Sequence, residues 1–170
     1  MAEIEWDLYR AILNTSPDKE KLDSAAAGQP EANGCGLLHA RAKGQVAKGS
    51  DGHQFIEGAD VMLERSGDDA PWHVLSDGGT SMHDVPGWFG YSTWSYFSVP
   101  KGTEYCDNTL FIKRDSKKKW NRTKTTSGRH YTIRPKTKMT LDAYFGALDN
   151  LARAAIARSV ELGRSIKVSA

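Results

Sequence analysis

Between Asp7 and Leu13 the side chains Leu8, Arg10 and Ile12 alternate with Tyr9, Ala11 and Leu13. A period of two predicts a β-strand, and apolar groups on both sides predict that both its faces are covered. The pattern then fades. Pro17 to Ser50 is rich in Ala, Gly, Lys and Gln and poor in large apolar residues, so a helix fragment and then a mobile loop are expected there, with little contribution to a core. Apolar positions resume at Phe55, Ile56, Val61, Met62 and Leu63, and Trp72 to Leu75 predicts a short strand. Asp77, Gly78 and Gly79 then permit a tight turn or a close backbone approach. Trp88, Tyr91, Trp94, Tyr96, Phe97 and Val99 are dense in strand-favouring aromatics and stop at the turn Pro100, Lys101, Gly102. Two further strands are expected at Thr109 to Ile112 and Arg129 to Arg134, the second ended by Pro135.

At the end of the chain the period changes. Leu141, Phe145, Leu148, Ala152, Ala155, Ile156 and Val160 recur at three- and four-residue steps, with Thr140 placed to cap the start and Gly163 to end it. An amphipathic helix packed on a sheet follows from that spacing. Strands in the middle of the chain and a long helix at its end indicate an α+β domain, antiparallel sheets in the middle with flanking helices, because the βαβα alternation of a parallel sheet is absent. No internal repeat and no G-x-G-x-x-G turn occurs, so a dinucleotide would bind outside a Rossmann framework. At 170 residues, one domain spanning 1–170 is expected.

Composition narrows the class. No apolar run approaches the roughly 18 residues that a membrane-spanning helix needs. The start MAEIEWDLYR lacks the basic residues, apolar stretch and small-residue cleavage site of a secretory signal, so export would need a dedicated machine. Cys35 and Cys106 are too few for a disulfide framework and are expected as reduced thiols. The net charge of +2 hides an uneven distribution: Lys113 to Lys138 holds eleven Lys/Arg against the single Asp115, and the rest holds twelve against twenty acids. A basic segment of this kind is either a solvated loop or an attractor for an anion, whether nucleic acid, a pyrophosphate or an acidic partner.

Several residues are candidates for chemistry. Arg10 lies in an otherwise apolar strand, where an unpaired guanidinium would cost several kcal/mol, so it needs a carboxylate, a carbonyl or a nucleotide's phosphate. Thr80 and Ser81 follow two glycines; their hydroxyls suit a ribose or a carboxamide, or equally the cap of a hairpin turn. His130 can serve as a neutral hydrogen-bonding group or as a proton carrier. The remaining histidines and the two cysteines show no C-x-x-C or H-x-x-x-H spacing, so no metal is assigned. Asp77, Ser81 and His83 fall within one short turn region without a G-x-S-x-G elbow, which argues against a hydrolase triad. Trp88, Trp94 and Tyr96 offer faces for stacking a base, although core packing explains them as well.

Taken together, LYRAIL at Leu8 to Leu13, DGGTS at Asp77 to Ser81, VPKGTE at Val99 to Glu104, HYTIRP at His130 to Pro135 and LDNLARAAI at Leu148 to Ile156 resemble the Tse-two toxin family. Members are type VI secretion effectors with an ADP-ribosyltransferase-like fold. The resemblance covers nearly the whole chain, is weakest over Pro17 to Ser50, and departs most at the lysine-rich run Lys117 to Lys124. It implies a monomeric, NAD-dependent cytotoxin that modifies a macromolecule in the recipient's cytoplasm and is silenced by an immunity protein covering the cleft. By position it places Tyr9 and Arg10 on the nucleotide, Thr80 and Ser81 at the strand hydroxyls that shape the NAD site, and His130 as the third essential group, all around one dinucleotide-sized hollow.

Many ADP-ribosyltransferases carry a Gln/Glu-x-Glu pair that stabilises the cation formed as nicotinamide leaves; none of the five matching segments contains one, and Glu104 is the nearest candidate carboxylate. Two other classes stay open on the residues alone. One is an RNA-acting toxin that grips phosphates with Lys117 to Lys124, Trp120 and Arg129 and uses His130 as acid or base. The other is a non-catalytic domain whose basic segment docks an acidic partner.

Overall fold

A computed structural model describes residues 1–28, 34–90 and 92–169. Tyr91 and the 29–33 part of the expected loop lie outside the described residues. In chain order the elements are β1 (Ala2–Glu3), β2 (Leu8–Leu13), α1 (Pro17–Ala26), β3 (Val46–Lys48), β4 (Gln54–Glu57), β5 (Met62–Arg65), β6 (His73–Val74) and β7 (Thr80–His83). They continue with β8 (Trp94–Val99), β9 (Glu104–Tyr105), β10 (Leu110–Arg114), β11 (Lys119–Trp120), β12 (Ser127–Gly128), β13 (His130–Pro135), β14 (Met139–Thr140), α2 (Leu141–Leu162) and β15 (Lys167–Ser169). Six strands form the main sheet in the order β10-β13-β7-β2-β8-β15, antiparallel throughout. A second antiparallel sheet runs β14-β6-β5-β4-β3. The architecture is α+β with antiparallel sheets and a C-terminal helix, as the order of the expected elements implies.

Strand alternation divides the main sheet into two faces of different character. Leu8, Ile12, Met82, Phe97, Val99, Leu110, Tyr131 and Ile133 share one face and join the buried core with Tyr144, Leu148, Leu151, Ala152 and Ala155 of α2. The opposite side of the same strands carries Tyr9, Ser81, His83 and His130. The packing face therefore holds the sheet to its helix, and the other sets these polar groups beside apolar ones such as Ala11 and Tyr96.

Helix α2 begins and ends where its sequence says: the Thr140 side chain accepts from the Ala143 N–H, and Gly163 adopts the left-handed conformation that a C-terminal cap needs. Its buried stripe differs from the one read by spacing. Tyr144, Leu148, Leu151, Ala152, Ala155 and Ser159 are buried, whereas Val160 is 69% exposed. The reason is a polar anchor: the Tyr144 hydroxyl donates to the Ile133 carbonyl and accepts from the Thr80 N–H, which turns the helix so that Tyr144 faces β7 and β13.

A second correction concerns Pro17 to Ser50. The stretch is short of large apolar groups, yet Leu22, Leu37 and Leu38 are wholly or almost wholly buried and Ala25 and Ala40 pack with them in the core. Full burial of each leucine is worth about 1.5–3 kcal/mol, so three of them outweigh the polar average of the segment. The double glycine also proves to be a packing device. A Cβ on Gly79 would stand 2.3 Å from the Ile133 carbonyl oxygen, and one on Gly78 would stand 2.6 Å from that of Asp60. The close approach is therefore to the protein's own backbone.

Candidate functional site

Strands β2 and β7 pair at a single position, Tyr9 opposite His83. The residues that would stand opposite next on this face are Ala11 and Ser81, and arginines take their carbonyls instead. Arg10 Nη1 donates to the Ser81 carbonyl at 2.9 Å, and Arg41 Nη2 donates to the Ala11 carbonyl at 3.2 Å. The sheet is thus opened at its centre, and side-chain donors satisfy the backbone acceptors that the opening exposes.

On the edge of this opening Ser81 meets His130. The register places Ser81 opposite Thr132 and His130 opposite His83, so Ser81 and His130 are diagonal neighbours on one face. Ser81 Oγ lies 2.6 Å from His130 Nε2. The other ring nitrogen, Nδ1, lies 3.2 Å from Asp115 Oδ2. Asp115 is the residue after β10, and its N–H donates to the His130 carbonyl at 3.0 Å, continuing the β10–β13 ladder by one step. His130 is 34% exposed and Asp115 38%, so the array can be reached from solvent.

Aromatic groups frame the array. Trp88 stacks on His83 with ring centres 4.5 Å apart, and His83 lies 5.2 Å from the His130 ring. Burial, with His130 and Arg10 adding to it, pushes His83 down to about 3, so its ring is neutral at physiological pH. Phe89 stacks on Trp94, and the exposed Arg41 holds its guanidinium 5.7 Å from the Trp94 ring centre. The phenol of Tyr9 is pushed up by burial and by Asp7, with Arg164 partly opposing, and keeps its proton as a hydrogen-bond donor.

The structure does not gather all of the expected residues around one hollow. Tyr9, Ser81 and His130 share the polar face, while Arg10 and Thr80 belong to the core face. The Arg10 guanidinium is occupied within the chain: Nη2 donates to Asp60 Oδ2 and to the His39 carbonyl, both at 3.0 Å, and both members of the ion pair are almost fully buried. Burial lowers the pKa of Arg10 and Asp60 opposes that shift. Thr80 is fully buried, and its Oγ1 donates to the Leu38 carbonyl at 2.7 Å. Glu104 is elsewhere again, in a hollow of about 620 Å³ lined also by Tyr105, Cys106, Gly146 and Asn150. Neither that hollow nor another of about 520 Å³ near Asp7 and Arg164 has Ser81 or His130 in its walls.

Sequence reasoning missed Asp115, His83, Trp88 and Arg41 as parts of one site. For Asp115 a signal was present, since it is the sole acid among eleven Lys/Arg. A serine, a histidine and an aspartate do meet here, but from three separate strands or strand ends rather than from the Asp77 to His83 turn.

Such an array can orient a ribose hydroxyl through Ser81 and His130, while the neighbouring rings offer apolar faces and Arg41 offers a cation. That donor set fits a dinucleotide. Among the described residues no helix is long and apolar enough to cross a membrane. No curated protein gives a significant match to the chain. The family model described as Tse2 ADP-ribosyltransferase toxin matches residues 7–160, a span that contains Tyr9, Arg41, Ser81, Asp115 and His130. The chain therefore belongs to the Tse2 ADP-ribosyltransferase toxins, transferases that take NAD as co-substrate.

Proposed function

We propose that the face carrying Tyr9, Ser81 and His130 holds the nicotinamide half of NAD, and that Arg41 at the opened centre of the sheet holds its pyrophosphate. The supporting observation is the 2.6 Å contact between Ser81 Oγ and His130 Nε2 on a part-exposed face inside the family-matched span. Cleaving the bond from nicotinamide to ribose passes through an oxocarbenium-like state, so the site has to orient the sugar and tolerate positive charge. Orientation by fixed groups lowers such barriers by about 7 kcal/mol or more when alignment is good. Ser81 and His130 supply the orientation. Arg10 and Thr80 act one layer below as positioning residues, through the Ser81 carbonyl and the Leu38 carbonyl respectively.

In this reading the chain is a type VI secretion effector that acts in the cytoplasm of a recipient cell. Its producer silences it with an immunity protein that covers the Ser81–His130 face. The acceptor of the ADP-ribosyl group is a macromolecule, and one surface favours an anionic one. The ribbon β11–β12 exposes Trp120 to 64% beside the exposed Lys117, Lys118 and Lys119, which suits phosphates and a stacked base. Nucleic acid is thus the second reading for the target, and binding that tightens steeply as salt falls would support it.

The test is growth arrest on cytoplasmic expression, with a mass shift sought on cellular targets incubated with labelled NAD. Ser81→Ala and His130→Ala are expected to stay folded and to lose both effects. Thr80→Ala is expected to lose about 1–2 kcal/mol of stability with any loss of toxicity, because a buried hydrogen bond goes with it. Full toxicity in the Ser81 and His130 variants would remove the site assignment.

A further inference from the structure

The one acidic side chain in the basic segment is spent on a histidine. Asp115 stands among eleven Lys/Arg, and Lys113 and Arg114 immediately precede it, yet its carboxylate is directed at His130 Nδ1 at 3.2 Å. The backbone around it is held for that purpose. Its N–H donates to the His130 carbonyl, and Arg129 Nη1 donates to the Ser116 carbonyl at 3.0 Å, which fixes the 115–116 segment against β13.

Resting on the NAD-site reading above, we propose that Asp115 is the positioning residue of the Ser81–His130 pair. A carboxylate can only accept, so whenever the ring is neutral Nδ1 carries the hydrogen and Nε2 presents its lone pair. Ser81 is then the donor in the 2.6 Å contact, and its hydroxyl hydrogen points at the imidazole. The lone pairs of Ser81 Oγ are left facing outward at the end of a chain of aligned dipoles that starts at a full negative charge. A group of this kind is suited to a site where positive charge grows on a sugar. With the opposite tautomer the Nδ1 lone pair would face the carboxylate and Ser81 would become an acceptor, reversing the polarity at the ligand. His83, 5.2 Å from His130 and neutral, places no second positive charge beside the array.

The experiment uses the purified full chain and the variants Asp115→Asn and Asp115→Glu. In the unliganded protein, two-bond proton–nitrogen correlation spectra report which nitrogen of His130 carries the hydrogen. The wild type is expected to show the Nδ1–H tautomer, Asp115→Asn a shift toward Nε2–H, and Asp115→Glu the wild-type pattern. In turnover of NAD, kcat is expected to fall about 10- to 100-fold in Asp115→Asn with KM within about twofold, and Asp115→Glu to recover most of it. An unchanged tautomer in Asp115→Asn, or an unchanged kcat, overturns the proposal. So does a fall in kcat that Asp115→Glu fails to recover. Full turnover in Ser81→Ala and His130→Ala would instead refute the NAD-site reading, and the spectra would still decide what Asp115 does to the ring.

Discussion

Replacing Asp60 by asparagine keeps the shape of the side chain and removes its charge, leaving Arg10 buried beside two carbonyls. The wild-type pair is 3.0 Å apart, with the side chains 5% and 6% exposed. Asp60 Oδ2 also accepts from the Arg41 N–H at 2.7 Å, and the Asp60 carbonyl accepts from Gly79 N–H at 3.0 Å, so this residue joins β2, the 38–41 segment and the approach to β7. Removing one partner of a buried ion pair costs about 3–5 kcal/mol, because the remaining charge is uncompensated. The amide keeps one acceptor oxygen, which puts Asp60→Asn near the low end of that range. For a chain of this size each kcal/mol lowers Tm by roughly 2–4 °C, so a drop of at least about 6 °C is expected. Urea unfolding followed by tryptophan fluorescence measures the same quantity at constant temperature. The double variant Arg10→Met with Asp60→Leu is expected to regain most of the loss, since an apolar pair of similar volume needs no charge compensation. A loss below about 1 kcal/mol in Asp60→Asn would refute this account, and would mean that the Arg10 guanidinium can turn to solvent or to a ligand.

Acidification tests His83. Its folded value of about 3 lies below the ordinary 6.5, so the unfolded chain takes up the proton first and stability is lost as pH falls from 6.5 toward 3. The loss attributable to this ring is about 2 kcal/mol at pH 5 and nil above pH 7; a His83→Phe variant whose stability falls as steeply between pH 7 and 5 as the wild type's would contradict it. Gly79→Ala puts a Cβ 2.3 Å from the Ile133 carbonyl oxygen and 2.7 Å from its carbon, both backbone atoms that cannot swing aside. A cost of about 1–3 kcal/mol is expected, read as a lowered urea midpoint, and wild-type stability would show that β7 and β13 can separate there.

Much of the fold is local and could be read along the chain. A period of two marked β2 and β13, a run of strand-favouring aromatics marked β8, and a period near four marked α2 with its Thr140 and Gly163 boundaries. Each of these signals is set within a few residues by backbone geometry and by the solvent preference of adjacent side chains. The stretch Pro17 to Ser50 shows the limit, because burial there falls on Leu22, Leu37 and Leu38 individually while the composition around them is polar. The motif DGGTS was legible as a special turn, but whether its glycines approach a ligand or another strand depends on where Ile133 lies.

By itself the sequence determined the α+β class, the antiparallel strands, the final helix and the resemblance that leads to the toxin family, because these rest on periodicity and on short runs of neighbouring residues. It also pointed to Ser81 and His130. Only the tertiary structure decided which face each candidate occupies. Strand register sends Tyr9, Ser81 and His130 to one side and Arg10 and Thr80 to the other, pairs Arg10 with Asp60, and brings Asp115 to a histidine 15 residues away. A one-residue change of register would reverse every one of those assignments, and register is set by contacts between segments that lie far apart along the chain.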